Sequence, residues 1–409
     1  MTSSRDEVSI DHEVVIVGAG PAGAAAAIEL ARSGVDALLV DKAQFPRDKC
    51  CGDGLTTLAL RLLDDLGLDP AMVESWTDVD DVYIRAPNGR VLELPLPRDR
   101  GRFAAIASRA DLDAALVQRA RAEGATVTEG SKVVDVVPQP GHIRVAFDDG
   151  RSIAASHVIA ADGMWSPVRK MLHLDQPGYR GEWHAFRQYR RASGPEARKL
   201  WVWFEPDLLP GYAWSFPLTG QTVNVGFGVV RGDELSGKKM ASLWRDLLNR
   251  PHIAEVLGDN EPEGPHRAWP IPANIPDVSL VGPRTMFVGD AARATDPMSG
   301  EGIGQALETG ILAARAIVEH RGEAPHNASA AYEAATRKAL VADHRMAAGL
   351  SRLLSFGPVA NASLATVDLN DWTRRNFVRW LFEDYPRAAL FTPRRWHRRL
   401  FTSDGAYVK

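Results

Sequence analysis

Three patterns of apolar and polar positions divide this 409-residue chain. The first is a short, wholly apolar run bounded by turn residues. Val14-Val15-Ile16-Val17, Ala37 to Val40, Val158-Ile159-Ala160-Ala161 and Met286-Phe287-Val288 are of this kind. Such runs suit parallel strands buried on both faces. The second pattern has a period of two. Trp183 to Arg191, Leu200 to Glu205, Gly211 to Pro217 and Thr222 to Val230 read as successive strands, and Val82 to Leu94 as a hairpin around Pro87-Asn88-Gly89. Within Gly211 to Pro217, the alternation of Tyr212, Trp214 and Phe216 puts three rings on one face. The third pattern is helical: an Ala-rich segment to about Arg32, a segment to about His320, and most of the chain from Arg293 onward.

Composition narrows the class without choosing a chemistry. A formal charge of −4 gives no reason to expect nucleic acid or a strongly anionic partner. Two cysteines, adjacent at Cys50 and Cys51, cannot form a disulfide framework, so a reducing cytoplasm is expected. Met1 to Ile10 lacks the basic start and apolar run of a signal peptide. The longest small-residue run, Ala22 to Ala31, is too short and too Ala-rich to span a bilayer. No metal-ligand spacing stands out.

Strong chemistry begins where Val14–Val17 enters Gly18-Ala19-Gly20-Pro21-Ala22-Gly23, followed by helix, strand and Asp41. Gly18 permits the tight turn, Gly20 lets a pyrophosphate approach the backbone, and Gly23 lets the helix pack on the sheet. The helix start offers amides and a positive dipole end. Asp41 falls at the separation of a carboxylate that holds ribose hydroxyls. FAD and NAD are not separated by this motif.

Two later strands also end in acidic turns. Val158 to Ala161 leads into Asp162-Gly163, and Met286 to Val288 into Gly289-Asp290, with Pro297 and Gly300-Glu301-Gly302-Ile303-Gly304 beyond. A carboxylate at such a strand end can accept hydrogen bonds from a ribityl-like hydroxyl chain. The glycines are expected to leave backbone amides open at the following helix start, which favours negative charge on a reduced ring. Together these segments resemble the FAD-binding set shared by aromatic hydroxylases, flavin halogenases and geranylgeranyl reductases. The resemblance implies that Gly18, Gly20, Gly23, Asp41 and Lys42 meet the ADP half, and that Asp162, Gly289, Asp290, Pro297, Gly300, Gly302 and Ile303 meet the rest of FAD. Arg109, in Ser108-Arg109-Ala110-Asp111-Leu112, matches that group's cofactor-facing arginine, while Ser108 and Asp111 also form a capping-box-like pair.

Because these segments lie far apart, the nucleotide domain is discontinuous. The expected class is α/β: a Rossmann-type FAD-binding domain from 1–80, 98–175 and 276–330. An inserted antiparallel-sheet substrate domain from 81–97 and 176–275 roofs the flavin, and 331–409 forms a helical C-terminal region.

The shared fold leaves the reaction open. Residues 211–228, with Tyr212, Trp214 and Phe216-Pro217 followed by Gly226 and Gly228, resemble the aromatic signature of the geranylgeranyl reductase family. Phe45 to Leu55 resembles that family's segment beside the flavin, where a proline usually precedes the cysteine; Cys50 takes its place here. The resemblance implies FAD-dependent saturation of an isoprenoid chain, such as that of menaquinone or a prenylated lipid. Cys51 is the implied acid, because an ordinary thiol titrates near pH ~8.5 and stays protonated at neutral pH. Which of Cys50 and Cys51 faces the ring is open. Tyr212, Trp214 and Phe216, joined by Trp201 and Trp203, are candidates for the apolar wall that positions an alkene without a polar handle. The electron donor, NADPH or a ferredoxin, is not readable.

The alternative is an FAD-dependent monooxygenase, a hydroxylase or halogenase acting on a terpenoid or aromatic metabolite. Lys42 and Lys49 are the lysines of the first hundred residues, and Glu205 occupies an apolar position of the halogenase aromatic motif. A non-catalytic prenyl-binding escort is a further class, opposed by the intact glycine and acid set. Finally, Arg394, Arg395, Arg398 and Arg399 interleave with aromatics near the C-terminus. They fit either peripheral contact with anionic lipid or a docked helix pair with solvated arginines.

Overall fold

The structure, a computed structural model, describes residues 9–96, 101–232, 237–383 and 385–388. Arg394, Arg395, Arg398 and Arg399 lie outside the described residues, as do Phe391 and Trp396.

The chain begins with β1 (His12–Val17), α1 (Pro21–Arg32) and β2 (Ala37–Asp41). It continues through α2 (Arg109–Ala122) and β3 (Ser152–Ala160) into β4 (Trp183–Ala192), β5 (Leu200–Trp203), β6 (Tyr212–Pro217) and β7 (Thr222–Val230). It returns to the first unit with β8 (Thr285–Phe287) and α3 (Ile303–Glu319). Beyond α3 runs a long helix, Pro325–Leu354.

The apolar runs form the centre of the first sheet. Val14, Val15 and Ile16 of β1 have no exposed surface, as a strand covered on both faces requires. β1 lies between β2 and β3, β3 also pairs with β8, and all three pairings are parallel. Parallel strands present their carboxyl ends at one edge. Gly18, Lys42, Ala161 and Val288 therefore follow their strands at the same edge, although they span 270 positions of sequence. A hairpin, Val133–Pro138 with Ile143–Phe147, extends this sheet antiparallel beside β3.

The second sheet runs Asn260–Pro262, β4, β7, β6, β5, Asp81–Arg85, Val91–Pro95. Its pairings are antiparallel except one: Asp81–Arg85 lies parallel to β5. This departs from the wholly antiparallel expectation. The Asp81–Pro95 hairpin is made far earlier in the chain and joins the β5 edge by its first strand, so no hairpin turn imposes an antiparallel sense.

Register decides what each face of this sheet carries. Trp201 pairs with Ser215 and Trp203 with Ala213, while Val202 pairs with Trp214. Neighbouring strands keep paired residues on one face, so Trp201 and Trp203 point away from Trp214. They stack 5.8 Å apart in a core with Phe186, Phe227 and Trp244, and do not join the apolar wall. The opposite face carries Tyr212, Trp214 and Phe216, and also Arg187, Tyr189 and Asn224. Among the described residues, no helix is long and apolar enough to cross a membrane.

Candidate active site

A cavity of about 830 Å³ runs from the strand ends of the first sheet to the ringed face of the second. It is within the size range of small-molecule and cofactor sites. At its first end, Gly18 has φ +102°, and an added Cβ would sit 2.4 Å from Ala161 O. An added Cβ on Gly23 would meet Gly18 O at 1.8 Å. Gly23 thus sets how closely α1 meets the turn and does not itself line the cavity. Gly20 is different: an added Cβ would meet only the guanidinium ends of Arg47 and Arg109, each at 3.7 Å.

Those two guanidiniums share one carboxylate. Asp113, fully buried, accepts from Arg109 Nε at 2.8 Å and Nη2 at 2.7 Å, with Arg47 Nη1 at 2.9 Å. Arg47 Nη1 is buried, and no acceptor is aligned with it. An anion resting on Gly20 at the start of α1 would meet both cations and the helix amides. Arg47 escaped the sequence reading; its place after Asp41, in Phe45-Pro46-Arg47, was the available signal. Asp41 accepts from Ala19 N and Ala43 N, each at 2.8 Å, and keeps further lone pairs for a diol. Lys42 lines the same end.

Further along, Asp290 Oδ2 stands 3.4 Å from Lys49 Nζ, which lies 5.4 Å over the Trp269 ring. Gly289 is tied by its N–H to Thr309 Oγ1 at 2.9 Å. Asp162 lines the cavity, but its oxygens accept from Ser166 Oγ at 2.7 Å and Val168 N at 2.8 Å. Burial pushes its carboxyl up to about 6. Pro297 is buried and does not line the cavity; Gly300, Gly302 and Ile303 do.

The expectation of open amides at the start of α3 is corrected. Glu301 Oε1 accepts from Ile303 N at 2.9 Å and Gly304 N at 3.2 Å, and Gly300 N donates to Asp296 O at 3.0 Å. A carboxylate just ahead of a helix satisfies end amides that have no intrahelical partner. Burial pushes Glu301 up to about 7.

At the far end the rings of Tyr212, Trp214 and Phe216 follow one another at 5.9 and 6.1 Å. Gly226 makes room for them: an added Cβ would stand 2.4 Å from Trp214 Cζ2. The segment Cys51-Gly52-Asp53-Gly54 crosses these rings, so that an added Cβ on Gly52 would lie 3.5 Å from Phe216 and 3.7 Å from Trp214. Asn224 pins the segment. Its Nδ2 donates to Cys51 O at 2.8 Å and to Asp53 Oδ2 at 2.7 Å, while its Oδ1 accepts from Trp214 Nε1 at 3.1 Å. Tyr189 OH donates to the same Asp53 oxygen at 2.6 Å. Sequence reasoning missed Asn224 and Tyr189; the alternation that placed Trp214 would have placed Asn224, two before Gly226, on the cavity face of β7.

Both thiols line the cavity. Cys50 Sγ stands 3.7 Å from Arg267 O, whereas Cys51 Sγ accepts from Asp53 N at 3.3 Å. Burial pushes Cys51 up to about 11 and Cys50 up to about 12, so both stay protonated at neutral pH.

The open face at Gly20, the two guanidiniums beside it and the cavity's reach from phosphate cradle to ringed wall fit a dinucleotide carrying a flavin. A family model described as FAD binding domain matches residues 11–345. The chain belongs to the FAD binding domain family. It is an FAD-dependent oxidoreductase of that family, with relatives named as reductases. It is 36% identical over 326 residues to a menaquinone reductase of Mycolicibacterium smegmatis, covering 74% of this chain and 75% of that one. It is 30% identical over 335 residues to a digeranylgeranylglycerophospholipid reductase of Methanosphaerula palustris, covering 79% and 81%. The fold matches the crystal structure of a geranylgeranyl bacteriochlorophyll reductase-like protein from Thermoplasma acidophilum. There the TM-score is 0.75 at 21% identity, over 94% of this chain and 99% of the other.

Proposed function

We propose that this FAD-binding protein saturates isolated C=C bonds in the isoprenoid chain of a prenylated quinone or lipid. The observation that carries the reading is the ring wall of Tyr212, Trp214 and Phe216 laid against the Cys51–Gly54 segment at the end of the cofactor cavity. Relatives named for menaquinone and for a digeranylgeranyl phospholipid point to the same substrate class.

In this reading Gly18, Gly20, Arg47 and Arg109 hold the pyrophosphate, with Gly23 setting the helix behind them. Asp41 and Lys42 hold the ribose end, and Asp290 with Lys49 the hydroxyl chain. Asp162, Gly289, Gly300, Gly302 and Ile303 shape the ring site, with Pro297 supporting the loop from behind. Reduced FAD supplies the hydride. An isolated alkene offers no polar handle, so Tyr212, Trp214 and Phe216 fix it by shape and exclude water around it. Cys51 holds a proton on Sγ beside that wall, and its burial keeps the proton there at neutral pH. NADPH or a ferredoxin delivers the electrons. A substrate of this class reaches the site from a lipid surface, so the protein works at the cytoplasmic face of a membrane through peripheral contact.

The test is anaerobic. Dithionite-reduced protein is mixed with prenylated quinones and lipids, and products are read by mass spectrometry. Two added hydrogens that stay in the isoprenoid chain after the quinone ring is reoxidised in air, together with reoxidised flavin, are expected. Oxygen incorporation on admitting air, with no anaerobic product, would move the protein to the monooxygenases.

A further inference from the structure

Large apolar side chains stand in water at one place more than at any other. Among the described residues, the four most exposed are Leu369 at 70%, Trp372 at 65%, Phe356 at 63% and Leu353 at 54%. All four fall within residues 353–372. They bracket the helix Gly357–Val367, which carries no charged side chain along its 11 residues. Ala360 and Leu364 are buried on its inner side, whereas Pro358, Val359, Ala362 and Thr366 are exposed on its outer side. A surface helix ordinarily turns charged residues outward. An exposed apolar patch that spans a whole helix and both its ends marks a contact surface.

The charges at the rim say what the surface meets. Asp368 and Asp371, beside Leu369 and Trp372, are already matched. Asp368 accepts from Arg374 Nε at 2.9 Å and pairs with Arg90, and Asp371 lies 3.2 Å from Arg374 Nη1. Arg352, next to Leu353, and Arg375, one turn beyond Trp372, are exposed and paired with no acid among the described residues. The rim is therefore left with cations.

We propose that the helix Gly357–Val367, with Leu353, Phe356, Leu369 and Trp372 at its ends, is the face by which the protein lies on an anionic lipid surface. The apolar side chains enter the boundary between headgroups and acyl chains, while Arg352 and Arg375 meet the headgroup phosphates. A second copy of the chain is the poorer occupant, because face-to-face packing gathers the leftover arginines of both copies around one patch.

What lies beneath this face agrees with a lipid. Leu364 and Val367 of the helix, and Phe377 of the helix Asp371–Leu381, share one apolar cluster with Val202, Phe204 and Phe216 of the second sheet. Phe216 is the last ring of the wall, and Phe204 meets Tyr212 edge-on at 6.0 Å. The docking face thus lies over the substrate side of the molecule. That link rests on the isoprenoid reading of the site; the surface contact does not.

The experiment sediments the FAD-loaded full chain with vesicles of phosphatidylcholine alone, or of equal parts phosphatidylcholine and phosphatidylglycerol. Binding to the anionic vesicles is expected. Phe356→Ser, Leu369→Ser and Trp372→Ser combined should weaken it by about a hundredfold, with flavin absorbance retained. Met72→Ser, at an exposed apolar residue elsewhere, should leave it unchanged. Arg352→Glu with Arg375→Glu should remove the preference for anionic vesicles. Unchanged vesicle binding by the triple variant overturns the proposal. So does a triple variant that turns a dimer into a monomer in sedimentation equilibrium while vesicle binding persists, which makes the face a contact between copies. Turnover of a long-chain menaquinone separates this proposal from the substrate reading. The triple variant should lose about tenfold on vesicle-borne substrate and keep its rate on detergent-dispersed substrate. If the parent protein reduces neither while the triple variant still loses the vesicles, the substrate reading fails and the lipid face stands.

Discussion

Asp113→Asn tests the cradle directly, because it removes one charge from between two guanidiniums without changing volume. Arg109 is held by two hydrogen bonds in a buried setting, its side chain 8% exposed, while Arg47 is 21% exposed and can rehydrate in part. Removing one partner of a buried pair costs about 3–5 kcal/mol, since the other charge stays desolvated. Rehydration of Arg47 puts this case at the lower end, about 3 kcal/mol. Unfolding entropy near 2.1 cal/mol/K per residue implies that the melting temperature falls by about 3–4 °C for a chain of this size. The assay is thermal unfolding of FAD-free protein followed by tryptophan fluorescence. Asp111→Asn on the same helix, whose carboxylate accepts from Ser108 Oγ at 2.8 Å, serves as the control and should lose less than about 1 kcal/mol. Equal melting temperatures for Asp113→Asn and the unaltered protein, or equal losses at both positions, would refute the shared-carboxylate cradle.

Gly20→Val should yield protein without flavin absorbance, because the side chain fills the face open to Arg47 and Arg109; full flavin occupancy refutes the cofactor placement. Gly226→Ala forces a Cβ to 2.4 Å from Trp214, costing about 1–3 kcal/mol in a urea titration and lowering turnover, with FAD retained. Trp214→Ala should keep the flavin spectrum but weaken turnover of long-chain substrates; unchanged turnover would return Trp214 to simple packing. The pH dependence of FAD-free stability has a definite sign. Burial raises Asp53 and Asp162 to about 6 and Glu301 to about 7, so the folded chain binds more protons than the unfolded one between the ordinary and raised values. The contribution of these three carboxyls therefore falls as pH rises from about 4 to 7; His157, which burial pushes down to about 4, contributes in the opposite sense, but three carboxyls outweigh it and the melting temperature should be lower at pH 8 than at pH 5. Glu301→Gln should flatten its share of that slope, between 4.5 and about 7.

Local chemistry was legible from residues alone. The Gly18–Gly23 turn, the strand before it and Asp41 after the second strand are contiguous features, and β-branched runs mark buried parallel strands wherever they occur. The alternation of Tyr212, Trp214 and Phe216 also needs no partner strand to be read. What the sequence could not supply is which segments abut. Trp201 and Trp203 look as eligible for the wall as Trp214, and only the pairing of Val202 with Trp214 sends them to the far face. Likewise, the glycines before α3 promise free amides until Glu301 folds back onto two of them. Arg47 and Arg109 are 62 positions apart, and nothing in their neighbourhoods announces that they share Asp113. Asn224, Tyr189 and Asp53 meet because β4 and β7 pair in one register, and a slip by one residue would turn the first two to the opposite face. Periodicity and turn chemistry are properties of neighbouring residues, so the sequence determines them. Register and the choice of a distant hydrogen-bond acceptor are settled by which whole-chain arrangement buries the most apolar surface with every polar group met, and that is decided only in the tertiary structure.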